Sequence, residues 1–103
     1  MNQLEQLLHD LVAIDSINPD LVPGAAGEAA IAAYIADWLR AAGLEVHIQE
    51  VRPGRPNVIG IARGAGGGRS LLLNGHVDTV GVAGMSEPFR PRVEGGRLYG
   101  RGA

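Results

Sequence analysis

Leu71-Leu72-Leu73-Asn74-Gly75-His76-Val77-Asp78-Thr79-Val80 decides how the rest of the chain is read, because an apolar run stops at a glycine and then presents His, Asp and Thr. Three leucines between Gly-rich and polar residues are too short for a globular helix. They read as a strand buried on both faces, of the kind found in the middle of an α/β sheet. Ligands in open α/β sheets bind beyond the carboxyl ends of the strands, which puts His76 and Asp78 where such folds place their sites. Positions i and i+2 of an extended chain point the same way, so the two side chains converge on one point or on each other. A neutral imidazole can ligate zinc through one nitrogen while a carboxylate fixes the tautomer through the other. A bare His-x-Asp, however, is a common tripeptide, and alone it more often describes a strand-end histidine before a turn.

Upstream, Leu4, Leu7, Leu8, Leu11 and Ile14 recur at helical spacing, with Asn2 and Glu5 placed as an N-cap and its reciprocal partner. His9 falls on the polar side of that helix. Asp15-Ser16-Ile17-Asn18-Pro19 breaks it, since the residue before a proline is pushed out of the α region. The spacing predicts a second helix from about Ala26 to Ala42, burying Ile31, Tyr34, Ile35, Trp38 and Leu39 and stopping at Gly43. Leu44, Val46 and Ile48 then alternate with polar residues in a strand that leaves His47 on a wet face. After a turn over Arg52–Pro56, residues 57–63 read as the next strand. The Gly64–Gly68 run is not a phosphate loop. Gly68-Arg69-Ser70 lacks the Gly-Lys-Ser/Thr ending and leads into a strand instead of a helix, so a flexible connection is the better reading. Downstream, Arg92-Val93-Glu94 and Arg97-Leu98-Tyr99 flank Gly95-Gly96 as a short hairpin. Arg90, Arg92, Arg97 and Arg101 read as its solvated face in preference to a carboxylate-binding cluster.

The whole is α/β, an α/β/α sandwich whose sheet is mixed because its first two strands are joined by a short turn. No repeat or linker divides the 103 residues. With 46% hydrophobic but only 4% aromatic residues, the core must be aliphatic. Nine arginines against eleven acidic residues leave a net charge of −2, too balanced for a nucleic-acid footprint. The absence of cysteine rules out a disulfide framework and a thiolate metal site, so His and carboxylates must hold any metal. No stretch reaches the roughly 18 apolar residues of a membrane span, and the first residues lack the pattern of a secretory signal. A cytoplasmic location is expected.

The Leu71–Val80 stretch, followed by Pro88-Phe89 and by Gly95-Gly96-Arg97-Leu98-Tyr99-Gly100-Arg101-Gly102-Ala103, resembles the M20 family of zinc-dependent deacylases and peptidases. That family includes acetylornithine deacetylase, succinyl-diaminopimelate desuccinylase, aminoacylase and glutamate carboxypeptidase. Asp15-Ser16-Ile17-Asn18-Pro19, Gly27-Glu28 and Asn57-Val58 extend the resemblance over nearly the whole chain. Met85 departs from it, standing where an aromatic residue is expected ahead of the Pro-Phe pair.

The resemblance implies that His76 ligates one of two metal ions, zinc or cobalt, and that Asp78 contributes to catalysis by clamping the His76 ring. It also implies hydrolysis of amide bonds in N-acyl amino acids or small peptides, with homodimerisation open to the full-length protein. Metal would lower the pKa of bound water to about 7 and polarise the carbonyl while a glutamate takes the proton. Glu87 and Glu94 match no family motif for that glutamate. In the family a metal-bridging aspartate follows Gly-Arg-Gly-Ala almost at once. Residues 1–103 are therefore expected to be the N-terminal portion of one catalytic domain and inactive alone. Two other readings are a non-catalytic interaction or scaffold module that keeps the fold, and a nucleotide-binding α/β protein, which the glycine argument disfavours.

Overall fold

In a computed structural model describing residues 1–103, helix α1 (Gln3–Ala13) starts on the expected capping box. The Asn2 side chain accepts from the Glu5 amide at 2.9 Å, and the Glu5 carboxylate accepts from the Asn2 amide at 2.9 Å. Two of the donors orphaned at a helix start are thereby satisfied. The helix stops at Ile14, whose extended backbone (φ −94°, ψ 120°) leads into the strap Asp15–Pro19.

Helix α2 (Ala29–Ala41) begins three residues later than the expected Ala26. The reason is local: Gly27 is left-handed (φ +71°) and its amide donates to the Ile17 carbonyl at 3.0 Å, which commits it to the loop. The end is as expected. Gly43 (φ +88°) closes a Schellman motif, its amide bonding the Arg40 carbonyl at 2.9 Å and the Leu44 amide bonding the Leu39 carbonyl at 3.1 Å. Ile31, Ala32 and Ala36 form the buried face of α2. Tyr34 on α2 donates to Asp10 on α1 at 2.7 Å, which ties the helices together.

Strands β1 (Glu45–Arg52) and β2 (Arg55–Ile61) form an antiparallel hairpin, with His47 opposite Ile59 and a bulge between Glu50 and Arg52. The turn is tighter than the sequence suggested, only Pro53-Gly54, so β2 begins at Arg55 and not at Asn57. Helix α2 lies on this hairpin. At Gly60 any side chain would meet Leu39, a Cβ coming within 2.9 Å of its Cδ1. Strands β3 (Arg92–Glu94) and β4 (Arg97–Tyr99) pair antiparallel around Gly95-Gly96, both left-handed as the turn requires.

The expected strand at Leu71 does not form. Leu71, Leu72 and Leu73 each keep 84% of their surface exposed, and the only pairing near them is a parallel bridge between Thr79 and Ile17. A buried central strand needs ladder partners on both edges and apolar layers on both faces. Residues 1–103 supply neither here, because a groove of about 780 Å³, lined by Val58, Gly60, Leu72 and Leu73, lies between β2 and the leucine run. The α/β class therefore holds as two helices and two separate antiparallel hairpins, with no mixed sheet among these residues.

Only nine residues are buried, five of them apolar: Val12, Ile17, Ile31, Ala32 and Ala36. The accessible surface of 7457 Å² exceeds by on the order of 2,000 Å² the roughly 5,500 Å² expected for a compact monomer of this mass. The radius of gyration agrees, at 15.4 Å against about 13 Å for a compact chain of 100 residues. No helix is long and apolar enough to cross a membrane.

Candidate functional site

His76 and Asp78 meet each other, which was one of the two alternatives left open by their spacing. The His76 Nδ1 lies 3.0 Å from Asp78 Oδ1 and 3.0 Å from the Asp78 carbonyl oxygen. A carbonyl can only accept, so both contacts are attractive only when Nδ1 carries the proton. The neutral ring then presents the Nε2 lone pair outward, from a side chain that is 83% exposed.

Asp78 is itself held. Its Oδ2 accepts from Asn18 Nδ2 at 2.9 Å, and its side chain is 30% exposed. The Asn18 donor, followed by the His76 contact, keeps the Asp78 carboxyl below the usual carboxylate range against an opposing push from burial.

The strap Asp15–Pro19 supports this pair along its backbone. The Thr79 amide donates to the Ser16 carbonyl at 3.0 Å and the Asn18 amide to the Thr79 carbonyl at 2.9 Å. Ser16 Oγ donates to the Val77 carbonyl at 2.7 Å. Ser16 and Asn18 stand two apart on extended chain, so both side chains reach the His76 segment from one side.

Behind the strap sits Arg101, 4% exposed. Its Nη2 donates to the carbonyls of Val12 (2.9 Å) and Ile14, and its Nη1 donates to Ser16 Oγ at 3.3 Å. It thus caps the C-terminus of α1, where the helix dipole favours a cation. Phe89 packs under its guanidinium at 5.2 Å. Burial pushes the guanidinium pKa down, and the charge of Asp15 opposes that shift. The placement of Arg101 on a solvated hairpin face is therefore corrected. The other three arginines of that group, Arg90, Arg92 and Arg97, are exposed as expected. Gly100 is what lets Arg101 in, since a Cβ there would overlap Val12.

A cleft of about 510 Å³ opens beside His76, its wall made mostly of apolar residues such as Leu8, Leu21, Val80 and Met85. His76 also borders the groove toward β2, so it stands on the ridge between two open depressions.

As a metal-binding set, His76 with Asp78 fits one nitrogen ligand and its orienting carboxylate. Nothing else completes it: no three His, Asp or Glu side chains come together in a metal-holding group anywhere in the chain. His9 pairs with Asp10 at 3.4 Å and His47 with Glu45 at 3.1 Å, each on its own element. Glu87 and Glu94 pair with Arg90 and Arg92. Glu28 is 7% exposed and holds Arg55 through both carboxylate oxygens. The residues present do not fit a whole metal centre.

Sequence reasoning missed Ser16, Asn18 and Arg101 as members of the site. For the first two, the signal was the alternation Ser16-Ile17-Asn18. For Arg101 it was the flanking Gly100 and Gly102, a pattern that favours close backbone approach.

Comparison with known proteins finds relatives named as a desuccinylase, a deformylase and a deacetylase. The chain is 38% identical over 104 residues to succinyl-diaminopimelate desuccinylase of Leptothrix cholodnii, a match covering 94% of this chain and 25% of that protein. It is 38% identical over 87 residues to N-formyl-4-amino-5-aminomethyl-2-methylpyrimidine deformylase of Bacillus subtilis, covering 79% of this chain and 20% of the relative. Acetylornithine deacetylase of Vibrio cholerae is 36% identical over 76 residues, covering 73% and 19% respectively. No family model matches the chain, and no solved structure does. By these relatives the chain belongs to the M20-type hydrolases. It spans about a quarter of the length of the curated relatives it matches.

Proposed function

We propose that residues 1–103 form part of a catalytic domain that hydrolyses amide bonds in small N-acyl compounds, and that His76 ligates a metal ion there through Nε2. The observation that carries this reading is the pair of acceptors at 3.0 Å on His76 Nδ1, which leaves the opposite nitrogen free and exposed. The related desuccinylase, deacetylase and deformylase all remove an acyl group, which supports the reaction type. When bound, zinc or cobalt would lower the pKa of a coordinated water to about 7 and polarise the amide carbonyl. The part played by this chain's own residues is narrower. Asp78 holds the proton at Nδ1 and keeps the Nε2 lone pair available, acting on the histidine and not on the metal.

The α/β/α sandwich and its mixed sheet belong to the same proposal. The exposed leucine run and the free edge of β2, facing each other across the groove, are the surfaces that further sheet and helices would cover. The general base and the remaining ligands lie, on this reading, in that further structure.

The test is to assay the complete gene product for bound zinc and for hydrolysis of N-acetyl, N-succinyl and N-formyl amines, with and without chelator. Chelator is expected to abolish turnover, and His76→Ala to lose metal and activity together. Chelator-insensitive hydrolysis, or a His76→Ala protein with unchanged metal content and rate, would refute the proposal. A folded product with neither metal nor turnover would favour the scaffold reading.

A further inference from the structure

We infer that Asn18 is a positioning residue for His76, acting through Asp78 to dictate which ring nitrogen carries the proton. The site it serves is the one proposed above, but the hydrogen bonds that define its role are independent of any metal. Asp78 has two carboxylate oxygens and they are divided: Oδ2 takes the Asn18 Nδ2 donor at 2.9 Å, and Oδ1 takes His76 Nδ1 at 3.0 Å. Without the Asn18 donor the carboxylate can rotate about its Cβ–Cγ bond, a broad and soft torsion, and Oδ1 is no longer fixed against the ring. His76 has no other side-chain partner, which leaves the Asp78 backbone carbonyl, also 3.0 Å from Nδ1, as the one remaining acceptor for an Nδ1–H.

Asn18 suits this part because it is itself fixed at three points. Its amide donates to the Thr79 carbonyl at 2.9 Å, its carbonyl accepts from the amides of Leu21 (3.1 Å) and Val22 (3.0 Å), and its side-chain Oδ1 accepts from the Asp20 amide at 2.8 Å. That last contact closes an Asx turn and fixes the amide plane, which aims Nδ2 at Asp78. The strap carrying Asn18 is held against the His76 segment by Ser16, and Ser16 in turn by Arg101. A continuous set of hydrogen bonds therefore runs from the end of α1 to the exposed imidazole.

The two ends of the Asn18 side chain do different jobs, which makes the inference separable from a plain structural role. Asn18→Asp keeps an oxygen for the Asp20 amide but replaces the Nδ2 donor by a second carboxylate facing Asp78. The protein is labelled with ¹⁵N in its histidine rings, freed of metal with chelator, and read at pH 8, with His76→Gln assigning the resonance. The wild-type ring is expected to be predominantly Nδ1–H, and Asn18→Asp is expected to raise the Nε2–H fraction, with the Asp78 backbone carbonyl alone left to hold the Nδ1–H form. Asn18→Ser, whose hydroxyl still closes the turn but is too short to reach Asp78, should do the same, and it replaces the first variant if that one fails to fold. Zinc affinity should fall about 10-fold in either, the lower end of what the loss of an outer hydrogen-bond partner costs a metal site.

A wild-type ring that is mainly Nε2–H, or a folded Asn18→Asp protein that keeps the wild-type tautomer ratio, overturns the inference. A shifted tautomer with unchanged zinc affinity upholds the positioning and counts only against the metal reading of His76.

Discussion

Two regions only a few residues apart behave in opposite ways. From Val77 to Thr79 the Val77 carbonyl, the Thr79 amide and carbonyl and the Asp78 carboxylate find partners in Ser16 and Asn18, with Arg101 behind them. From Leu71 to Leu73 the residues are largely exposed, although this is the most apolar run in the sequence. The polar half of the stretch is anchored by residues within the chain, some of them 60 positions away, although Thr79 Oγ1 stays buried without a partner, whereas the apolar half lies open to solvent. Hydrogen bonds are directional and need one partner each, while burial needs a whole layer of atoms. A chain can therefore hold the local geometry of a site before it has the core that surrounds it.

The sharpest way to break this contrast is to remove the anchor on its ordered side. Arg101→Ala strips the donors from the α1 carbonyls and from Ser16, and should cost about 3 kcal/mol or more, since buried groups lose their partners. The urea midpoint measures it, and a cost below about 0.5 kcal/mol, typical of a surface site, would mean the anchor is unimportant. Gly100→Ala attacks the same anchor sterically. The overlap with Val12 should cost about 1–3 kcal/mol, the range for overpacking, again seen in the urea midpoint.

Acid and alkali sharpen the comparison through the Asp10–Tyr34 bond between the helices. The Tyr34 hydroxyl, then Gln6, lowers the Asp10 carboxyl pKa, and the carboxylate raises that of the Tyr34 phenol. A depressed carboxyl stabilises the fold above its unfolded pKa of about 3.9 and loses that contribution as pH falls through the folded value. A raised phenol stabilises below its unfolded pKa of about 10 and loses it as pH rises further. Tyr34→Phe should therefore cost about 0.5–1 kcal/mol between roughly pH 4 and 10, and less beyond either end. Urea titrations of both proteins at pH 2.5, 7 and 11 check this, and a pH-independent difference would contradict it.

The smallest effect belongs to the bare side. In residues 1–103, Leu72→Asn should change stability by no more than about 0.5 kcal/mol, the scale of an exposed position. In a longer protein that covers the run, the same substitution should cost about 2–5 kcal/mol, as core truncations do. Equal costs in the two settings would erase the distinction drawn here.

The legibility of the sequence follows the same division. The capping box at Asn2 and Glu5, the Gly43 stop and the Gly95-Gly96 turn were readable because each is decided by neighbours within a few residues. The start of α2 was not, because Gly27 is held by Ile17 from across the loop. The leucine run reads as a buried strand but is exposed and unpaired in the structure, because whether a strand forms depends on partners that periodicity does not reveal. His76 and Asp78 were legible from their spacing, but Asn18 and Arg101 were not. Their partners lie 60 to about 90 positions away in sequence, and an arginine among other arginines looks like surface.

The most direct measurement is a crystal structure of the complete gene product loaded with zinc. The account predicts His76 Nε2 on the metal at about 2.0–2.1 Å, with Nδ1 still on Asp78 and Asp78 still on Asn18. A zinc ion remote from His76, or an Asp78 oxygen coordinated directly to it, would contradict the account.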